Sequence, residues 1–214
     1  MTAGLRRLRP GLPIIPMAVL FGATFGILAR STGHGPVFAV LMSATVFAGA
    51  AQFAYLALLP AGAWTAAVSA VLVNARYLPM GISISPSLAS GPLRRLLHSH
   101  LLVDESWAIA RQADGSFDRW VLLALGGLLY AAWVLGTTLG ALVPVTIPDP
   151  KRLGLDAAFP ALFLALLVPQ VKDRRALAAA ALGGAIALAL VPLTPPGISL
   201  LPACAAALIG ARRR

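Results

Sequence analysis

Long apolar stretches follow one another along almost the whole sequence, separated by short basic or proline-rich joints, and this rhythm leaves the chain very few folds. They run over about residues 12 to 29, 36 to 59, 61 to 75, 93 to 111, 119 to 143, 155 to 171, 176 to 192 and 198 to 211. A helix needs about 20 apolar residues to cross the hydrocarbon core. Lipid offers no partners to backbone N–H and C=O groups, so each crossing segment must satisfy its own. The pattern predicts an all-α polytopic membrane protein, one transmembrane domain over 1–214 with seven or eight membrane segments. The stretches near 61 and 155 are short for a plain crossing.

With 59% apolar and 11% charged residues, the chain has little to present to water. Its 17 basic residues outnumber the 7 acidic ones, but they gather at segment ends: Arg6, Arg7 and Arg9; Arg94 and Arg95; Lys172, Arg174 and Arg175; Arg212 to Arg214. That is the orientation signature of membrane proteins, with basic loops cytoplasmic, and it argues against a nucleic-acid surface. One cysteine, Cys204, leaves no internal disulfide. No CxxC or His/Cys cluster suggests a metal, and nothing suggests a cofactor. Pro13 and Pro16 interrupt the first apolar stretch and no small-x-small site follows it, so the first segment reads as an uncleaved helix with a cytoplasmic N-terminus.

The segment 73 to 92, VNARYLPMGISISPSLASGP, holds Pro79, Gly81, Pro86, Gly91 and Pro92, too many breakers for one helix. A broken or re-entrant element lining a cavity is expected, with the break near Pro79 to Gly81. If 61 to 92 and 155 to 171 enter and leave on one side, Arg94, Arg95 and the cluster from Lys172 to Arg175 are cytoplasmic, and 112 to 118 lies outside. Eight plain crossings would place two basic loops on the wrong side.

A weak internal echo accompanies this scheme. Residues 21 to 29, FGATFGILA, and 135 to 143, LGTTLGALV, each hold a GxxxG, at Gly22/Gly26 and Gly136/Gly140, and each precedes an apolar segment ending in proline. Pseudo-repeats over about 11–92 and 119–211 follow, with the two GxxxG helices crossing in opposite directions as in an inverted repeat. GxxxG also occurs simply where membrane helices pack closely.

Four polar islands stand within the apolar stretches: Gln52, the run from Asn74 to Tyr77, the pair Asp104 and Glu105, and Asp156. An ionised group at mid-membrane costs about 2.5 to 3.5 kcal/mol on insertion scales, so such residues mark pathways or pairs. Arg76 requires a carboxylate, with Asp104, Glu105 and Asp156 as candidates, or it holds a bound carboxylate by a bidentate contact. Asn74 and Arg76 stand about 200° apart on a regular helix and share a cavity only if the helix breaks nearby. On one helix over 98 to 111, His100, Asp104, Trp107 and Arg111 would share a face. The acid pair reads as functional, and His98 and His100 as residues at headgroup level. Gln52 sits among small residues in FAGAAQFA, either contacting a solute or bonding between helices. Asp156 is either a helix cap or a functional acid.

Enzyme readings find no footing, because no HExxH, GxSxG, P-loop or GxGxxG occurs in context. Without a nucleotide-binding segment, any transport draws on a gradient.

Together, FAGAAQFA (47 to 54), VNARYLPMG (73 to 81), LLVDESWAIA (101 to 110) and GLDAAFPALFLALLVP (154 to 169) resemble the AzlC family, the large subunits of bacterial branched-chain amino acid exporters. The resemblance covers nearly the whole chain. It implies a multi-pass permease of the bacterial inner membrane exporting leucine, isoleucine, valine and related amino acids, paired with a small hydrophobic AzlD-like subunit. Asn74, Arg76, Tyr77, Gly81 and Gln52 are then the substrate-binding candidates. Asp104, Glu105 and Asp156 are the candidates for proton coupling or the ion pair. The chain departs from the family pattern at Tyr77, where a histidine is common, and at Val103, where a threonine is common. A passive channel and a non-transporting assembly subunit are the competing readings. Saturable uptake separates the first from a transporter, and activity surviving Arg76→Ala would favour the second.

Overall fold

The computed structural model describes residues 3–88, 91–112, 114–143, 164, 167, 168, 171, 173–194, 203 and 206. Within them the chain forms helices α1 (Ala3–Leu8), α2 (Ile14–Ser31), α3 (Pro36–Thr45), α4 (Gly49–Leu58), α5 (Ala63–Asn74), α6 (Tyr77–Ile84), α7 (Pro92–His100), α8 (Asp104–Ala110), α9 (Arg119–Leu142) and α10 (Arg174–Leu190). Three described stretches are long and apolar enough to cross a membrane: Ile14–Ser31, Ala63–Ser87 and Arg119–Leu142. Two compact units divide the chain, one of residues 1–52 with 74–148 and the other of 53–73 with 149–214. In the second unit, Asp173 caps α10 by accepting from the Ala176 N–H at 2.7 Å.

The first unit is built on α2 and α9, whose glycines let the backbones touch. A Cβ on Gly22 would overlap the Trp133 carbonyl and one on Gly26 that of Thr137. On the other helix, a Cβ on Gly136 or Gly140 would meet the carbonyls of Val19 or Ala23. Lipid tails are as apolar as leucine, so such close approach, with its dispersion contacts, is what holds membrane helices together. The register advances in the same sense on both helices, and ahead of them Arg7, on α1, pairs with Asp118, the cap of α9, at 2.8 Å. The two helices therefore run parallel, not in the opposite directions expected of an inverted repeat. Asp118 accordingly lies beside Arg7, at the same end of the two helices. Asp118 also caps α9, accepting from Trp120 N–H and Val121 N–H.

Three segments are broken, two of them, 36 to 59 and 93 to 111, in stretches expected to be continuous. The stretch 36 to 59 divides at 46–48, where the Ala48 N–H turns to the Val46 carbonyl at 2.7 Å instead of continuing the helix. The segment 73 to 92 breaks at Ala75 and Arg76, earlier than expected, and α6 runs straight through Pro79 and Gly81. Pro79 is tolerated because it falls in the first turn of α6, where backbone N–H groups have no partner within the helix. The stretch 93 to 111 divides at 101–103, with Val103 extended at φ −131°, ψ 166°. The buried Ser106 hydroxyl accepts from the Val103 N–H at 3.0 Å and stabilises that break. His100 and Asp104 are thus on separate helices instead of one shared face. The nine-residue α7 is too short to cross, and its Leu93, Leu96 and Leu97 are exposed.

Candidate functional site

A cavity of about 230 Å³ lies where the three breaks meet. The first break contributes Thr45 to Ala48, the second Asn74 and Tyr77, and the third Ser99, His100 and Leu102. Each break interrupts a helical ladder, and unpaired backbone at membrane depth persists where it lines a cavity. The wall is mixed: Val46, Phe47 and Leu102 are apolar, while Asn74, Tyr77, His100 and the hydroxyls are polar.

Between Asn74 and Tyr77 in sequence, Arg76 turns its Nη2 to Asp104 Oδ2 at 2.8 Å. The two side chains are 34% and 27% exposed, so the pair is neither sealed in the core nor free in solvent. Asp104 sits in the first turn of α8, where the helix dipole favours a carboxylate. The guanidinium also stands 5.2 Å from the centroid of the Tyr77 ring, a cation–π contact that links the ion pair to the cavity wall. Two buried polar atoms here have no hydrogen-bond partner, Asn74 Oδ1 and Arg76 Nε. Such atoms are costly to bury unsatisfied.

The structure thus brings Asn74, Arg76, Tyr77 and Asp104 together. Glu105 follows Asp104 in α8 and forms no ion pair among the described residues. Gly81 lies away from this cavity, lining an open groove with Ser85 and Arg95, whose guanidinium donates to the Ser85 carbonyl at 2.8 Å. Asp156 lies outside the described residues.

Gln52 is fully buried elsewhere in the unit, in a closed polar network. Its Oε1 accepts from Trp133 Nε1 at 2.8 Å, and its Nε2 donates to Ser43 Oγ at 3.1 Å. Ser43 in turn bonds Thr137 Oγ1 at 2.8 Å. Gly49 makes room for the Trp133 indole, since a Cβ there would strike the ring. The network ties α3, α4 and α9 together.

Sequence reasoning sets His100 at headgroup level and gives Phe47 no role, whereas the structure places both on the cavity wall. Their signal is faint: His100 ends a polar, arginine-bearing helix, and Phe47 stands in an apolar run with no breaker beside it other than Gly49.

Membrane-spanning helices packed through glycines, a satisfied polar network and a mixed cavity beside an ion pair define a helical membrane protein with an internal polar site. The chain belongs to the AzlC family, whose model, AzlC protein, matches residues 13–147. Among curated relatives it is 36% identical over 195 residues to an Archaeoglobus fulgidus protein named only as a membrane protein, covering 87% of this chain and 84% of that one. It is 29% identical to the Escherichia coli inner membrane protein YgaZ, covering 84% of this chain and 78% of the relative. It is 27% identical to the Bacillus subtilis branched-chain amino acid transport protein AzlC, covering 77% and 66% respectively. No solved structure matches the chain.

Proposed function

We propose that the protein is a secondary transporter of the bacterial inner membrane, with its N-terminus cytoplasmic. It exports branched-chain or related hydrophobic amino acids, works with a small AzlD-like subunit, and exchanges substrate for inward-moving protons. The observation that carries this reading is the Arg76–Asp104 pair beside a cavity in which Asn74 Oδ1 is left unsatisfied. An amino-acid zwitterion repeats the charge pattern of that pair, carboxylate toward Arg76 and ammonium toward Asp104. Arg76 and Asp104 then serve as each other's partner whenever no substrate is bound. Ammonium and proton compete for one carboxylate, which is the condition for exchange instead of co-transport. Val46, Phe47 and Leu102 receive the aliphatic side chain. The name of the Bacillus subtilis relative supports the substrate class.

The test is expression with the small partner subunit in a cell lacking its own exporters, fed leucine- or valine-containing dipeptides. Lower intracellular leucine or valine is expected. Unchanged accumulation with both proteins in the membrane rejects the assignment.

A further inference from the structure

The Ala44 carbonyl is the point at which one of the three breaks is held. In a continuous helix it would accept from the Ala48 N–H, but that donor is taken by Val46. Two side chains from distant parts of the chain occupy the carbonyl instead: His100 Nε2 at 3.0 Å and Tyr130 Oη at 3.2 Å. A carbonyl oxygen only accepts, so the proton of this contact resides on His100 Nε2, and the Tyr130 hydroxyl donates. Phe47, inside the break, packs its ring edge-on to Tyr130 at 5.2 Å between centroids and at 6.4 Å from His100. His100 and Phe47 both line the cavity.

We propose that His100 is a positioning residue for the transport site. It captures the Ala44 carbonyl, keeps α3 and α4 from closing into one helix, and so presents Val46 and Phe47 as cavity wall. Tyr130 supplies the second donor. The inference rests on the transport reading for its kinetic consequence, while its structural half stands on the Ala44 contacts alone.

Two measurements test it on the purified protein with its partner subunit. Hydrogen exchange of the peptide over residues 44–52 is followed in His100→Ala, His100→Gln and Tyr130→Phe, and leucine transport into vesicles gives KM and kcat. His100→Ala is expected to alter exchange across 46–48 and to raise KM roughly tenfold, the effect of one or two hydrogen bonds, with kcat within about threefold. His100→Gln, whose amide Nε2 restores a donor, is expected to return both readouts to within about threefold of the parent, and Tyr130→Phe to fall between. Unaltered exchange in His100→Ala, or a fall in kcat at unchanged KM, overturns the proposal, as does Gln behaving like Ala. Should His100→Ala fail to reach the membrane, Tyr130→Phe against His100→Gln makes the same comparison. A parent protein that moves no amino acid defeats the transport reading and the kinetic half, and the exchange experiment then judges the latch by itself.

Discussion

Arg76 and Asp104, 28 residues apart in sequence and each beside a helix break, meet at 2.8 Å next to the cavity of the first unit. Removing one partner strands the other. Asp104→Asn is expected to destabilise the protein by about 1 to 3 kcal/mol, less than the 3 to 5 kcal/mol of a fully buried pair because both side chains are about a third exposed. Replacing both with apolar residues should recover most of that stability while transport stays absent. Thermal unfolding in detergent, read beside vesicle transport, checks it; a stable, inactive Asp104→Asn would mean that the pair serves only function.

Asn74 separates function from stability in the opposite way. Its Oδ1 is buried with no partner, so Asn74→Ala removes an unsatisfied acceptor and should leave thermal stability unchanged or slightly higher. If that atom completes the substrate site, KM should nonetheless rise roughly tenfold. An unchanged KM removes Asn74 from the site.

Gln52 should show the reverse. Gln52→Leu removes the acceptor of the Trp133 Nε1 bond and the donor to Ser43 Oγ, which keeps its bond to Thr137, at about 1 to 3 kcal/mol. Folded yield should fall, while KM per folded molecule stays within about twofold of the parent. A large KM change with normal stability would bring Gln52 back as a substrate contact.

The glycine seam gives a packing prediction with an internal control. Gly22→Ala and Gly140→Ala drive a methyl group into the facing backbone, and overpacking of this kind costs about 1 to 3 kcal/mol each. Gly127 lies on the same helix α9 with open space around its Cβ position, so Gly127→Ala should be neutral or stabilising by up to about 1 kcal/mol through helix propensity. Equal effects at the three positions would refute the close approach of α2 and α9.

Orientation can be read directly. With Cys204 replaced, Arg6→Cys and Gln112→Cys should react with an impermeant maleimide from the same side of the membrane, because Arg7 and Asp118 are paired. Labelling from opposite sides would restore the inverted arrangement.

The membrane class, the break within 73 to 92 and the need of Arg76 for a carboxylate were legible in the sequence. Each follows from local chemistry: the desolvation cost of a side chain or backbone group in lipid does not depend on the rest of the fold. The two GxxxG runs were legible as close-packing surfaces for the same reason, since a missing side chain is a local property. Only the tertiary structure decided that Asp104 answers Arg76, that α2 and α9 run parallel, and that the chain breaks at 46–48. That last break depends on donors 56 and 86 residues away from Ala44, reaching a carbonyl whose own neighbours give no sign of being released. Which partner satisfies a polar group is set by proximity in three dimensions, whereas the need for one is set by burial, and a linear pattern carries only the second.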